Sequence, residues 1–525
     1  MANIVRQPCD EGLIQSKAAT APCAESSGPW VLAATILGSS MVFIDGTVVN
    51  VALPALQAQL NATLADVQWV VEAYALFLAA LLLVGGSLGD RYGRRLIFCW
   101  GIVLFAVSSI WCGLASSVGQ LILARAVQGI GGALLVPGSL AIISASFGED
   151  RRGRAIGTWS GFTAITTAFG PVLGGWLVEH VSWRAVFFIN VPLALVVLAL
   201  TLRYVPESRD ENQKGRLDWL GATLVTLGLG AIVYGLIESA RLGFGNALVI
   251  TALVAGAVAS VIFLLVEQRK RNPMLPLELF RSRNFSGANL LTLFLYTAVT
   301  GAFFFLPMNL IQVQGYTATA AGGALFPFIL SMFLLSRWSG GLVKRYGAKL
   351  PLMVGPAVAA IGFVLFMLPR VGGSYWTTFF PAVMVLGLGM AVSVAPLTTT
   401  VMNAVGQNRA GVASGVNNAV SRTAGLMAIA VLGLVMVHGF NSSLERRVSE
   451  LALAPETRRA LEQERVKLAA AEIPRGLDQE MQVALKRAID DSFVTGFRQV
   501  MVVSAGLALL SSLVAWRLIR GKEDC

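Results

Sequence analysis

Charge is what this chain has least of. Asp, Glu, Lys and Arg make up 13% of its 525 residues, about half the ~25% usual in soluble proteins. A chain so short of charged surface is not a soluble enzyme, a disordered segment or a disulfide scaffold. Histidine is scarce as well: His180 and His438 fall at expected helix ends, so proton chemistry in mid-span rests on carboxylates. The five cysteines, at 9, 23, 99, 112 and 525, show no metal-like spacing. Cys99 and Cys112 lie in an apolar helix and read as packing residues. No GxxxxGK[ST] stretch occurs, which argues against ATP-driven pumping. No constellation of nucleophile, base and metal ligands appears either. Neither a metal nor a cofactor is expected, and a proton is the expected coupling ion.

What is present is apolar length. Hydrophobic residues are 55% of the chain and come in runs of about twenty, enough to cross a ~30 Å hydrocarbon layer at 1.5 Å per residue. The expectation is an all-α polytopic membrane protein with about fourteen spans. They lie near 30–54, 66–88, 96–115, 120–147, 155–180, 183–204, 217–238, 246–266, 285–311, 319–343, 350–368, 376–402, 410–437 and 493–518. The net charge of +11 sits in short loops between spans, as the positive-inside rule places it, so nucleic acid is not an expected partner.

One alternating set of loops holds nineteen Lys and Arg, among them Arg91, Arg94, Arg95, Arg151, Arg152 and Arg154; the other holds only Arg184, Arg241 and Arg370. Both termini are therefore expected in the cytoplasm. Residues 1–29 read as a cytoplasmic tail without a cleavable signal and 30–204 as a six-helix bundle. Residues 205–284 read as two additional helices with basic linkers. A second six-helix bundle follows over 285–518, then a short tail at 519–525. The second bundle includes an extracytoplasmic loop, 438–492, with nine Lys/Arg against ten Asp/Glu, read as a solvated hairpin of two amphipathic helices.

Four stretches carry mechanism. The loop GGSLGDRYGRR (85–95) has an echo, SGGLVKRYGAK (339–349), with Arg91-Tyr92-Gly93 on Arg345-Tyr346-Gly347 and Lys344 in the place of Asp90. Duplicated halves are the construction of rocking transporters. An acid in a basic cluster, meeting a helix N-terminus or an arginine, makes a latch that forms in one conformation and breaks in another; its residues are Gly86, Asp90, Arg91, Gly93 and Arg94. In the first span, FIDGTVVNVALP (43–54), Asp45 is the only charge, and an acid near mid-helix costs about 2.5–3.5 kcal/mol. Arg125 in the fourth span is its expected partner, and Glu72 in the second span is another coupling candidate. A motion that separates Asp45 from Arg125 would switch its proton affinity. The fifth span contains GPVLGG, with Gly170, Pro171, Gly174 and Gly175 giving a nearly bare helix face and a kink.

Together these residues resemble the fourteen-helix branch of the drug:proton antiporters (EmrB/QacA-type) in the major facilitator superfamily, over about 30 to 520. FIDGTVVNVALP looks like that branch's first-helix signature, GGSLGDRYGRR like the superfamily's loop motif, RAVQGIGGA (from Arg125) like the fourth-helix motif and GPVLGG like the antiporter signature. WRAVFFINVP (183–192) and NPMLPLELFRSRNF (272–285) are similar to further stretches of the branch. The resemblance implies a major facilitator fold, two six-helix bundles plus two extra helices. It implies proton coupling through Asp45 and Arg125, a latch at Asp90, Arg91 and Arg94, and an antiporter hinge at Gly170, Pro171 and Gly174.

Met41, Trp69, Tyr74, Phe162, Phe304, Arg337 and Arg422 are candidates for the substrate cavity. The two arginines lack an evident acid in their half, which points toward an anionic or zwitterionic substrate group. The function expected is proton-coupled export of amphipathic small molecules (multidrug efflux) by alternating access, in a bacterial inner membrane. The alternatives are an exporter dedicated to one metabolite, antibiotic, siderophore or lipid precursor, and a non-transporting membrane sensor or scaffold. The expected partners are the small-molecule substrate and the bilayer, with an envelope adaptor as an open addition to a monomeric transport unit.

Overall fold

Apolar runs leave the backbone no water to bond with, so the chain satisfies its own amides as helix. In the computed structural model the described residues are 27–209, 218–270, 273, 275–405, 410–451, 453–474 and 476–520, and all regular structure among them is helical. Helix α1 (Gly28–Leu60) has Pro29 in its first turn and ends at Asn61, a left-handed cap whose N–H donates to the Gln57 carbonyl. Thr63 and Asp66 form a reciprocal capping box that starts α2 (Leu64–Tyr92). Next come α3 (Arg94–Leu114), α4 (Val118–Ser146), capped by the Ser117 hydroxyl, and α5 (Glu149–His180). A single turn at Ala185–Phe188 leads into α6 (Asn190–Tyr204).

The chain continues through α7 (Trp219–Leu242) and α8 (Ala247–Arg269) to α9 (Arg283–Met308), which runs on as a π turn over Asn309–Val313. The remaining helices are α10 (Ala318–Gly323), α11 (Phe326–Tyr346), α12 (Lys349–Leu365), α13 (Phe379–Asn403), α14 (Ala410–Ser449), α15 (Pro455–Glu464) and α16 (Gln479–Leu518).

Of the fourteen expected spans, twelve correspond to helices long and apolar enough to cross a membrane among the described residues. The other two, 155–180 and 350–368, are occupied by α5 and by α12, the latter an apolar helix of 17 residues. Helices α1 to α6 pack on one another, α9, α11 to α14 and α16 form a second group, α10 leads into α11 but packs on α5, and α8 packs on α7. Helix α7 lies in the seam between the groups, against α2 and α14: Val233 and Ile237 are buried with Leu76, Ala79, Leu426 and Ala430. Helix α8 turns Leu248, Val254, Val258, Ile262 and Leu265 outward, as a lipid-facing helix does.

The solvated hairpin expected over 438–492 is not what forms. Helices α14 and α16 extend into this stretch, and α15 leads to a 3-10 turn over Arg465–Ala470. Leu461, Leu468, Ala469 and Ala471 are buried in the same core as the long helices. The physical reason is local. Apolar residues interleaved with the charges find buried surface at the ends of both helix groups, and burying each side chain is worth about 1.5–3 kcal/mol for a leucine.

Candidate functional site

The site begins midway along α1, where Asp45 is 1% exposed, and on α4, where Arg125 is also 1% exposed. Arg125 Nη1 donates to Asp45 Oδ2 at 2.5 Å, and the same nitrogen donates to Gln128 Oε1 at 2.8 Å. Gln128 Nε2 donates at 2.9 Å to Asp45 Oδ1, which also accepts from Asn190 Nδ2 at 3.2 Å. Both amides also donate to Ser109 Oγ, at 3.2 and 3.0 Å, and the serine donates to the Phe187 carbonyl. Arg125 Nε donates to the Val70 carbonyl at 3.1 Å, and its guanidinium lies 4.1 Å from the centre of the Tyr74 ring. The Tyr74 hydroxyl donates to the Val42 carbonyl at 3.1 Å. Five helices thus meet on one ion pair.

A buried pair of this kind costs several kcal/mol per ion to desolvate and is tolerable only when its remaining lone pairs and protons are bonded. Here they are. Both carboxylate oxygens and two guanidinium nitrogens have partners, and an aromatic face covers the cation. Removing one member leaves the other charge bare.

Glu72 contrasts with this. It is 0% exposed, yet neither carboxylate oxygen has a hydrogen-bond partner. It sits on α2 between Gln68, which donates to the Ile429 carbonyl of α14, and Leu76, which packs against α7 and α14.

The glycines of α5 face two ways. A Cβ on Gly170 would meet the Thr47 side chain, and one on Gly174 would lie 3.0 Å from the Val48 carbonyl oxygen. Both contacts fall within one turn of Asp45. A Cβ on Gly175 would come within 2.8 Å of Thr319 Cα on α10, the short helix that leads into α11 of the second group. The Pro171 carbonyl in turn packs onto Gly322, and the Glu179 carboxylate accepts from the Thr319 N–H at 3.1 Å. Small residues here let α5 touch α1 and α10 at backbone distance.

Next to this contact, away from the basic loops, Gln57 Nε2 donates to the Lys467 carbonyl at 3.1 Å, and Gln312 Nε2 donates to Gln57 Oε1 at 2.9 Å. Val51, Gln57, Asn61, Gln312, Lys467 and Glu472 are among the residues lining a cavity of about 460 Å³ there. Leu468, 1% exposed, holds a left-handed backbone (φ 54°) as it enters the core, a strained geometry for a branched residue.

In the last turn of α2, Asp90 pairs at 2.8 Å with Arg94, the first residue of α3. The carboxylate that reaches a helix N-terminus is Glu207, accepting from the Arg95 and Leu96 N–H groups at 3.0 and 3.1 Å. Gly93, at φ +121°, leaves room for it, since a Cβ would lie 2.7 Å from that carboxylate. Gly86 is near Pro137 of α4, and Arg91 stacks on Tyr92 at 5.4 Å. The second copy repeats two of these features: Arg345 stacks on Tyr346 at 5.2 Å, and Gly347 has φ +75°. The Lys344 side chain lies outside the described residues.

The cavity candidates separate. Tyr74 belongs to the charge network. Met41 and Phe304 stand apart, fully buried in the cores of their own helix groups. Trp69 packs 6.2 Å from the Tyr234 ring on α7. Phe162 is exposed and Arg422 partly so; the Arg337 side chain lies outside the described residues. Sequence reasoning missed Gln128, Asn190, Ser109, Gln57 and Glu207. A signal existed for the first two: Gln128 follows Arg125 by three residues, on the same helix face, and Asn190 is the polar residue in FFINVP.

A bundle of membrane-length helices, holding one closed charge network at its centre, is the architecture of a secondary transporter. The model of the Major Facilitator Superfamily matches residues 35–429, and the chain belongs to that family, a family of transporters and not of enzymes. It is 34% identical over 499 residues to the multidrug resistance protein Stp of Mycobacterium tuberculosis (strain CDC 1551 / Oshkosh), covering 93% of this chain and 91% of that one. It is 33% identical over 506 residues to the tetracenomycin C resistance and export protein of Streptomyces glaucescens, covering 94% and 93%. Among solved structures, a bacterial homolog of the human lysosomal transporter Spinster is similar in fold, with a TM-score of 0.67 and 17% identity over 94% of this chain and 97% of that one.

Proposed function

We propose that this protein exports amphipathic small molecules in exchange for protons, as a multidrug efflux transporter of the inner membrane with both termini in the cytoplasm. The observation that carries the reading is the path from Asp45 to the contact between the two helix groups. Asp45 is locked to Arg125, the turn of α1 that bears it rests on Gly170 and Gly174 of α5, and the next glycine of α5, Gly175, touches α10, which leads into the other group. Protonating Asp45 removes its charge from the network and loosens Arg125, and α5 passes the resulting shift of α1 to the gate. The relatives named for multidrug resistance and for antibiotic export support the same reading.

The described contacts between the groups, at Gly175–Thr319, Gln57–Gln312 and Gln68–Ile429, lie away from the loops rich in arginine. With those loops in the cytoplasm, the gate closed here is the outer one. Residues 30–204 and 285–518 are then the rocking halves, 205–284 is the added pair, and 85–95 is the inner latch. Proton flux needs no cofactor, and one pH unit supplies about 1.4 kcal/mol per proton.

The test is proton release from purified protein in liposomes on addition of lipophilic cations, neutral amphiphiles and anions. Release by wild type that Asp45→Asn abolishes is the expected result. Release that survives Asp45→Asn and is lost only in Glu72→Gln would move the coupling role to Glu72. Absence of release with every compound class would overturn the proposal.

A further inference from the structure

One charge near the centre has no counter-charge. Arg422, on α14, is partly exposed, its Nε is buried without a partner, and no hydrogen bond or ion pair to a described residue engages its side chain. The one ionisable side chain with which it interacts electrostatically, among the described residues, is Tyr74 across the boundary between the helix groups. The Tyr74 hydroxyl is already committed to the Val42 carbonyl, and its ring carries the Arg125 guanidinium. The ring thus serves Arg125, whose own carboxylate is Asp45.

That carboxylate is not available to Arg422. Asp45 is bonded by Arg125, Gln128 and Asn190. Glu72 sits among residues turned to the α7 seam, and neither of its oxygens meets a donor. Nearby on α14, Asn417 is neutral and already donates to Asn289 and Thr292 at 3.0 and 2.8 Å. Arg422 is thus left without a described counter-charge in contact, in a place where an unpaired ion is costly.

We propose that Arg422 is the substrate's anion subsite, and that the exporter's preferred substrates are amphipathic organic anions, or zwitterions presenting a carboxylate or sulfonate to this residue. A guanidinium is the side chain suited to it: its planar fork binds such groups through two parallel hydrogen bonds. The substrate's negative group supplies the counter-charge that the fold omits, one side chain away from the Asp45–Arg125 pair. Binding and proton exchange then share Tyr74 as a common wall. The inference rests on the exporter reading above.

The experiment uses the full-length protein in nanodiscs and a matched pair of probes, 8-anilino-1-naphthalenesulfonate and neutral N-phenyl-1-naphthylamine, which differ by the sulfonate. Tetraphenylphosphonium is the cationic control, and empty nanodiscs give the lipid background. The wild type is expected to bind the anion roughly tenfold or more tightly than the neutral probe. Arg422→Gln is expected to erase that ratio, and Arg422→Lys, a point charge without the fork, to keep part of it. Thermal unfolding of each variant reports whether it is folded.

An unchanged ratio in folded Arg422→Gln overturns the subsite. So does equal loss of both probes, which marks a structural role, and so does tighter binding of tetraphenylphosphonium than of the anion by the wild type. Asp45-dependent proton release driven by the neutral probe separates the two ideas. If it is present while the ratio ignores Arg422, only the subsite falls; if no probe produces it, the exporter reading falls.

Discussion

Asp45 and Glu72 are two acids buried to the same depth in the same helix group, 1% and 0% exposed, and their surroundings could hardly differ more. Asp45 has an arginine, two amides and a five-helix network; Glu72, buried one turn from Leu76 of the α2–α7–α14 seam, has no donor on either oxygen. Burial alone therefore does not mark a coupling acid. Under the proposed function the difference is connection: Asp45 shares a hydrogen-bond network with four other helices, whereas Glu72 shares none, although Gln68 one turn away bonds to α14.

The comparison is broken most severely by leaving Arg125 without its acid or Asp45 without its base. Arg125→Ala is expected to cost about 3–5 kcal/mol of stability, seen as loss of folded protein on size-exclusion chromatography. Asp45→Asn keeps the side-chain shape and one acceptor oxygen but turns an NH2 toward a donor; it is expected to fold with lowered stability, with substrate-driven proton release lost at least roughly a hundredfold, a barrier change of about 2.7 kcal/mol.

Cutting the proposed path to α10 without touching the acid comes next. Gly175→Leu puts a side chain into the α10 backbone, and transport in vesicles is expected to fall about tenfold or more, at a cost of roughly 1–3 kcal/mol for overpacking. Gln128→Leu removes one donor to Asp45 and one acceptor from Arg125; a lower melting temperature, from about 1–3 kcal/mol of lost stability, is the expected readout. Glu72→Gln is expected to be the mildest, folding normally and changing proton release by less than about threefold, since no donor is orphaned by the exchange. A larger loss than Asp45→Asn would reverse the comparison.

Much of this was legible in the residues. A lone Asp in an apolar run and a lone Arg three spans later were each other's expected partners, because an unpaired charge is costly in hydrocarbon. GPVLGG announced close packing but not its direction: glycine records that something approaches, not what. Of the two partners open to the latch acid, an arginine or a helix N-terminus, Asp90 takes the arginine. Asp90 meets Arg94 one turn on, while Glu207, more than a hundred residues away, reaches the start of α3. Such a partner has no local signature. The long loop misled for a related reason. Its charges suggested solvent, but periodicity there does not reveal that Leu468 finds a pocket made by helices from both halves.

The loop's supports are themselves long. Helices α14 and α16 have 40 residues each, about 60 Å of helix against a ~30 Å hydrocarbon layer. Each is a lever whose fulcrum lies within the bilayer and whose far arm carries the turn at Leu468. With an arm of about 30 Å beyond the hydrocarbon, a tilt of roughly 10° sweeps the tip through about 5 Å, close to the width of a leucine side chain. A rotation too small to part the two halves along their length is thus, on the rocking motion proposed above, enough to draw Leu468 from its seat.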